Sequence, residues 1–354
     1  MKTILFTGGH HNSAIPLIKK FKEGGFNVIF VGHKTTQKGN KEISSEYKEI
    51  SALEIPFLDL KTPKFYNNKN PLKFPLLFVA FIKSLFLIIK HKPKVIVSYG
   101  GYLAVPVCFA GRFLGIKIVT HEQTVTVGLA NGLISKIANI VFLSWPAVSK
   151  DSKYKYVGLP LRDEILQIKP RTKYPKFKTL FITGGKQASH TLNEFVFNNL
   201  EKLQEEYRII HQTAKNSTNN DFQKSQSYMD SLGKEKYYAF DYIFGQKYKE
   251  ILENSDFLLS RSGAHICYEL SYLKIPTIFV PIRGVSKNEQ EENAKVSLDF
   301  FPSVIIDEPN LNFENLQKAQ TELYEIAKKN TNWKKVPTNA TELMYLEIVN
   351  LIKK

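Results

Sequence analysis

Short apolar runs recur along the chain at intervals that leave room for a helix between neighbours. In the first half they cover 3–7, 27–31, 94–98, 116–120 and 139–143. In the second half they cover 179–183, 207–211, 256–260, 276–280 and 303–306. Runs of this length, separated by helical stretches, predict parallel sheets built from βαβ units. The pattern restarts at mid-chain: Lys2-Thr3-Ile4-Leu5-Phe6-Thr7-Gly8-Gly9 returns as Lys178-Thr179-Leu180-Phe181-Ile182-Thr183-Gly184-Gly185, offset by 176 residues. A restart predicts two such sheets, and 354 residues is long for one core. The join is expected in 156–165, where Gly158 and Pro160 interrupt the pattern. This gives domains of 1–158 and 159–337. Residues 338–354 read as a final helix, capped by Thr338 or Asn339, that packs back across the join.

Binding sites in open parallel sheets lie beyond the carboxyl ends of the strands, and two domains facing each other would make a cleft. Three glycine-rich loops follow apolar strands: Thr7-Gly8-Gly9-His10, Ser98-Tyr99-Gly100-Gly101-Tyr102 and Thr183-Gly184-Gly185-Lys186. Adjacent glycines let the backbone approach a phosphate and present N–H groups to it. A fourth loop, Ser260-Arg261-Ser262-Gly263, joins a strand to a helix beginning near Ala264. That helix start suits an anion, although a plain strand-to-helix turn has the same form. No loop matches GxGxxG or the P-loop, so neither a nicotinamide dinucleotide nor ATP is indicated. Several such loops together point to a heavily phosphorylated ligand, or to two phosphorylated ligands.

His121 and Glu122 end an apolar strand, where His121 reads equally as a structural hydrogen-bonder or a ligand contact. There is no Asp-x-Asp pair and no metal-spaced cluster, so a transferase here is expected to stabilise its leaving group with dipoles and side chains rather than a cation. No cofactor is expected.

The net charge of +16 is uneven. Residues 1–158 carry 22 Lys and Arg against 8 Asp and Glu, whereas the remainder carries 27 against 25. A basic half suits nucleic acid or an anionic membrane, and the absence of zinc-finger or RNP-type patterns turns the expectation from nucleic acid to membrane. The most apolar segment, 74–90, is interrupted by Lys83 and is short for a transmembrane helix. Lys64, Lys69, Lys73, Lys90, Lys92 and Lys94 flank it. It reads as a buried crossover helix, as a surface docking on an anionic bilayer, or as both on different faces. Cys108 and Cys267 are the only cysteines, which predicts a reducing compartment and no disulfide framework. Residues 1–30 carry no signal-peptide pattern.

Taken in order, TGGH, SYGGYLAVP, THEQ with GLANGLISKIA, GLPLR, TGGKQ, SRSGAHICYE and FVP with NEQEENA resemble the MurG-type N-acetylglucosaminyltransferases across nearly the whole chain. The resemblance implies an α/β, GT-B fold of two Rossmann-like parallel-sheet domains. It implies inverting, metal-independent transfer of N-acetylglucosamine from UDP-N-acetylglucosamine to the C4 hydroxyl of a polyprenyl-diphosphate-linked N-acetylmuramyl-peptide. That step, lipid I to lipid II in peptidoglycan synthesis, serves cell-wall biogenesis, cell shape and division. It would run at the cytoplasmic face of the cell membrane, with the enzyme held peripherally.

By the same resemblance, Ser262, Gly263 and Ala264 face the donor diphosphate, and Ala264, His265 and Ile266 line the nucleotide pocket. Glu269 takes the ribose, Ile243 the uracil and Gln290 the sugar hydroxyls, while Arg162, Thr124 and Lys186 complete the donor set. Thr7, Gly8, Gly9, Gly100, Gly101 and Tyr102 face the acceptor diphosphate. His10 is the first candidate for general base, with Glu122 and His121 as alternatives. The chain departs from the family pattern at three places: Phe6 before Thr7 with His11 after His10, Thr124 after His121-Glu122-Gln123, and Lys186-Gln187-Ala188-Ser189 after Gly185. The rival readings are a UDP-sugar transferase of the same fold acting on another lipid acceptor, a UDP-N-acetylglucosamine 2-epimerase, and a non-catalytic membrane-bound subunit.

Overall fold

The computed structural model describes residues 1–35, 43–62, 74–147, 149, 151–186, 188–215, 219–284, 288–329 and 332–353. Lys64, Lys69, Lys73 and Gln187 lie outside them. The chain forms two compact units, Met1–Arg162 with Pro337–Lys354, and Asp163–Val336. The division falls after Arg162 rather than Gly158, because Leu159 and Leu161 are buried and Arg162 bonds to Asn12 and Glu49 of the first unit.

The first unit holds a fully parallel sheet of β1 (Thr3–Thr7), β2 (Asn27–Gly32), β3 (Phe57–Asp59), β4 (Val95–Ser98), β5 (Lys117–Glu122), β6 (Ile140–Leu143) and β7 (Tyr154–Tyr156). Its strand order is β3-β2-β1-β4-β5-β6-β7. The connecting helices are α1 (His11–Glu23), α2 (Ser45–Ala52), α3 (Phe74–His91), α4 (Ala104–Phe113) and α5 (Leu129–Ile137). Because successive strand residues face opposite sides, each apolar run feeds two cores. Ile4, Phe6, Val28, Phe30, Val95 and Val97 pack on one face with Leu17, Ile18 and Phe21 of α1. Leu5, Ile29, Val31, Ile96 and Ile118 pack on the other with Ile88 of α3 and Val107 of α4.

The second unit opens with the short α6 (Asp163–Leu166). Its sheet contains β8 (Thr179–Thr183), β9 (Arg208–Gln212), β10 (Tyr237–Phe240), β11 (Phe257–Ser260), β12 (Thr277–Phe279) and β13 (Ser303–Ile305). All pairs are parallel, in the order β10-β9-β8-β11-β12-β13. The helices are α7 (His190–Asn198), α8 (Leu200–Glu206), α9 (Asp221–Leu232), α10 (Gly245–Asn254), α11 (Ala264–Leu273), α12 (Glu289–Ser297) and α13 (Phe313–Lys329). One core under this sheet gathers Leu180, Ile182, Ile209, Phe257, Leu259 and Leu323.

The last helix, α14 (Ala340–Lys353), belongs to the first unit. Asn339 is its N-cap residue, since its carbonyl accepts the first helical bond from Leu343 N at 3.1 Å. Met344 and Ile348 enter the α1 face of the core, the Tyr345 ring lies tilted 4.9 Å from that of Phe21, and Lys20 pairs with Glu342 at 2.7 Å. Three strands carry no clear sequence signal: β3, β7 and β10. The first two are three-residue edge strands, half-buried or exposed throughout, and β10 alternates buried and half-buried positions.

Candidate functional site

Each sheet reverses its winding once, between β1 and β4 in the first unit and between β8 and β11 in the second. Ligands bind at such switch points, outside the carboxyl ends of the strands. The four loops singled out in the sequence leave those four strands and no others.

In the second unit, α11 starts at Gly263, which is extended (φ −65°, ψ 155°) and provides no side-chain cap. Its first helical bond runs from Cys267 N to Gly263 O, so the amides of Ala264, His265 and Ile266 precede the ladder. No acidic residue occupies the first turn. These features together make an anion-binding helix end. Glu269, on the same helix, is buried and accepts a bond from Tyr248 Oη at 3.0 Å, which fixes its carboxylate. Ser262 Oγ donates to Gln290 O at 2.7 Å, and Gln290 Oε1 accepts from Ile282 N at 3.1 Å. The amide NH2 of Gln290 is thus the end turned to other partners. Ile243 is buried just past β10, and His265 and Ile266 are half-buried.

Arg261 has no role that the sequence pattern assigns. The structure buries its guanidinium, 5% exposed, against Ser189 Oγ, Val280 O and Glu308 Oε2. Ser189 is the N-cap of α7, so Arg261 ties the β11–α11 loop to the β8–α7 loop. A charged residue beside Ser262-Gly263 was a visible signal, but its partners lie far off in sequence. In the β8–α7 loop, a side chain on Gly184 would meet Ser189 N at 2.4 Å. Ala188 lies in the left-handed region at φ +51°, and Lys186 Nζ sits 5.6 Å from the Tyr242 ring.

In the first unit, Gly8 adopts φ +129°, and a Cβ there would fall 2.8 Å from Gly100 O. Gly9 N donates to that same carbonyl at 3.2 Å, so the β1–α1 and β4–α4 loops close on each other backbone to backbone. Gly100 and Gly101 also have positive φ, at +69° and +80°. Tyr102 is half-buried, its ring tilted against His33 at 5.6 Å, and its hydroxyl is pushed up to about 12 by burial and by Glu46. His10 stands just before α1 with its ring reaching solvent. Desolvation by the surrounding protein draws its pKa below the ordinary histidine value, and the Glu122 carboxylate opposes this.

The other two base candidates are held by the fold. His121 is fully buried, and burial lowers its pKa to about 4 against the carbonyl of Gly158, with His10 lowering it further. Its Nε2 lies 3.1 Å from Gly158 O, which can only accept, so Nε2 carries the proton and Nδ1 is a bare lone pair. Glu122 accepts from Gln123 N, Thr124 N, Thr124 Oγ1, Gly128 N and Asn131 Nδ2, at 2.9 to 3.2 Å. A carboxylate with five donors is a clamp for the β5–α5 loop. Thr124, expected in the donor set, turns its hydroxyl to Glu122 and to Thr126 O. Arg162, expected in the donor domain, lies in the first unit with Nη2 on Asn12 Oδ1 (2.7 Å) and Glu49 Oε2 (3.0 Å).

Four buried polar atoms around the first switch point have no hydrogen-bond partner among the described residues: Thr7 Oγ1, Tyr99 Oη, His121 Nδ1 and Gln123 Nε2. Buried polar groups ordinarily are paired, so these are the groups through which this end of the sheet can engage a ligand or water. Among the described residues, no group of three or more His, Cys, Asp or Glu is placed to hold a metal ion.

Two family models match the chain: the N-terminal domain of glycosyltransferase family 28 over residues 6–143, and its C-terminal domain over residues 179–344. The UDP-N-acetylglucosamine--N-acetylmuramyl-(pentapeptide) pyrophosphoryl-undecaprenol N-acetylglucosamine transferase of Clostridium novyi (strain NT) is 29% identical, covering 99% of this chain and 98% of that protein. The crystal structure of Acinetobacter baumannii MurG superposes with a TM-score of 0.72 at 22% identity, covering 100% and 99% of the two chains. UDP-GlcNAc 2-epimerase from Neisseria meningitidis, bound to UDP-GlcNAc, reaches 0.63 at 14% identity over the full length of both chains. At those identities the structures show the GT-B fold alone, which transferase and epimerase share. The sequence matches separate them, and the chain belongs to glycosyltransferase family 28.

Proposed function

We propose that the chain transfers N-acetylglucosamine from UDP-N-acetylglucosamine to the C4 hydroxyl of a polyprenyl-diphosphate-linked N-acetylmuramyl-peptide, with inversion. The observation that carries this reading is the uncapped start of α11, with Glu269 fixed by Tyr248 on the same helix. The amides of Ala264 and His265 take the diphosphate, where the helix dipole also stabilises the charge that builds on departing UDP. Glu269 accepts from the ribose hydroxyls, Ile243 flanks the uracil, and the Gln290 NH2 binds the sugar. Lys186 adds a cation beside the same loop.

The first unit takes the acceptor diphosphate at Gly8, Gly9, Gly100 and Gly101, where absent side chains let it approach the backbone closely. The acceptor oxygen forms the new bond to the anomeric carbon as the bond to the UDP phosphate oxygen breaks. The C4 hydroxyl proton passes to His10, the one candidate base whose imidazole is both accessible and uncommitted. Glu122, Asn131 and His121 position the surrounding loop.

The membrane surface enters through α3 and α4. No described helix is long and apolar enough to cross a membrane. Ala80, Ser84 and Ile88 turn inward, whereas Leu76, Phe78, Val79, Phe86 and Ile89, with Phe109 and Phe113 of α4, are exposed. A face of this kind on a helix that also exposes Lys83 and Lys90 suits peripheral docking on an anionic bilayer, at the cytoplasmic side where UDP-sugars are available. Both readings of 74–90 therefore have support, one on each side of the helix.

The test is acceptor-dependent UDP release with a short-chain lipid I analogue in EDTA, together with product mass. A product heavier by one N-acetylhexosamine supports donor, acceptor and metal independence together. Donor binding without transfer would redirect the search to other lipid acceptors, and donor epimerisation would return the epimerase reading.

A further inference from the structure

At the amino ends of β4 and β5, opposite the glycine loops, the first unit contains a cavity of about 520 Å³. Its walls are aliphatic, with Ile89, Leu114 and Ile352 among them, and three lysines line it: Lys92, Lys94 and Lys117. Lys94 directly precedes β4 and Lys117 opens β5, where Val95 and Lys117 are register partners, so adjacent strands bring the two lysines to one end of the sheet. Lys92, at the carboxyl end of α3, takes a left-handed turn at φ +45°. None of the three amino groups has a carboxylate partner among the described residues. Ile89 belongs both to this cavity and to the exposed apolar face of α3, and Phe113, 75% exposed, adjoins Leu114.

We propose that this cavity binds one molecule of an anionic glycerophospholipid, with its phosphate among Lys92, Lys94 and Lys117 and the upper acyl chain along Ile89, Leu114 and Ile352. The charge pattern selects an anion, and the aliphatic walls select one with a hydrocarbon tail. A nucleotide would find no aromatic ring among the lining residues on which to stack. The lipid-linked acceptor is assigned to the opposite end of the sheet. Continuity with the α3 face gives the acyl chain a route into the bilayer, and here the inference rests on the docking reading above.

Native mass spectrometry of the full chain in mild non-ionic detergent tests this, with phosphatidylglycerol or phosphatidylcholine added. The expected result is a one-to-one phosphatidylglycerol adduct, with at least tenfold weaker retention of phosphatidylcholine. The adduct should weaken at least tenfold in a Lys92→Gln/Lys94→Gln/Lys117→Gln variant and in Leu114→Trp, which fills the cavity. Thermal melts of both variants check that they fold. Phe78→Ser/Phe86→Ser should keep the adduct in detergent while losing sedimentation with phosphatidylglycerol vesicles. If vesicles bind but no adduct forms, or if the lysine variant retains it fully, the cavity assignment is overturned while docking stands. If wild type forms the adduct but ignores vesicles, docking fails and the cavity stands. Displacement of the adduct by millimolar inorganic phosphate alone would also overturn the lipid assignment.

Discussion

Arg261 closes on the Ser189 hydroxyl with two nitrogens, Nε at 3.0 Å and Nη2 at 2.7 Å, while Nη1 reaches Glu308 at 2.6 Å. One buried cation thereby aligns the two loops that flank the switch point of the second sheet. Arg261→Lys cannot reproduce this fork, so it is expected to raise the donor KM by about tenfold or more with a smaller loss of kcat. Arg261→Ala leaves Glu308 with the Thr191 hydroxyl and should destabilise the unit by about 1–3 kcal/mol in urea unfolding. Steady-state kinetics with the donor varied separate alignment from a purely structural role.

Ala188 occupies a left-handed backbone position where glycine is at ease. The strain of an L-residue there costs about 1–2 kcal/mol, and glycine returns part of that as unfolded-chain entropy. Ala188→Gly should therefore stabilise the protein by about 0.5–1 kcal/mol. Equilibrium unfolding checks this, and a loss of stability would mean that the loop needs the alanine methyl.

His10 has its pKa drawn below the ordinary histidine value of about 6.5, so it is neutral and able to accept a proton through neutral pH. Turnover should fall on acidification with a midpoint below that value and be level above it. His10→Gln should lower kcat by about 10²–10⁴ and abolish this acid limb while leaving the donor KM unchanged. A pH profile of the variant that still shows the limb would assign it to another group.

For Glu122, scaffold and base predict different failures. Glu122→Gln turns one acceptor into an NH2 facing donors such as Gly128 N or Thr124 N. It should cost about 1–3 kcal/mol of stability in the first unit, and any loss of turnover should follow that loss of fold. Wild-type stability with a pure kcat defect would restore Glu122 as a base candidate.

His121 and His211 are buried neutral, with pKa values lowered to about 4 and about 3 chiefly by burial. His211 is fully bonded in that state: Nε2 donates to Asn193 Oδ1, so Nδ1 accepts from Tyr237 Oη. The unfolded chain takes up these protons below about pH 6.5 and the folded chain does not. Stability is thus fully present above pH 6.5 and falls with acidification, by about 1.4 kcal/mol per pH unit for each histidine. Urea midpoints from pH 7.5 to 4.5 should show this, with a shallower slope in His211→Asn.

Two parallel sheets and their central strands were readable because strands buried on both faces are continuously apolar, as in Leu5, Phe6, Ile96 and Val97. The edge strands β3 and β7 were not, since short half-exposed segments owe their conformation to a neighbour's hydrogen bonds rather than to their own pattern. The glycine loops were readable as well, because only glycine relieves the close approach seen at Gly8. Helix α3 divided its apolar residues between core and solvent, a choice that hydropathy alone leaves open.

The order of residues by itself determined the central strands, the glycines at the strand ends and the excess of positive charge in the first half, all of which depend on local chemistry or simple counting. Only the tertiary structure decided which polar side chains are committed. Glu122 became a clamp through Gly128 and Asn131, Arg162 turned to Asn12 and Glu49, and Arg261 joined Ser189 to Glu308. The physical reason is that a hydrogen bond between residues far apart in sequence leaves no periodic trace, while its strength depends on tenths of an ångström that the packed fold alone sets.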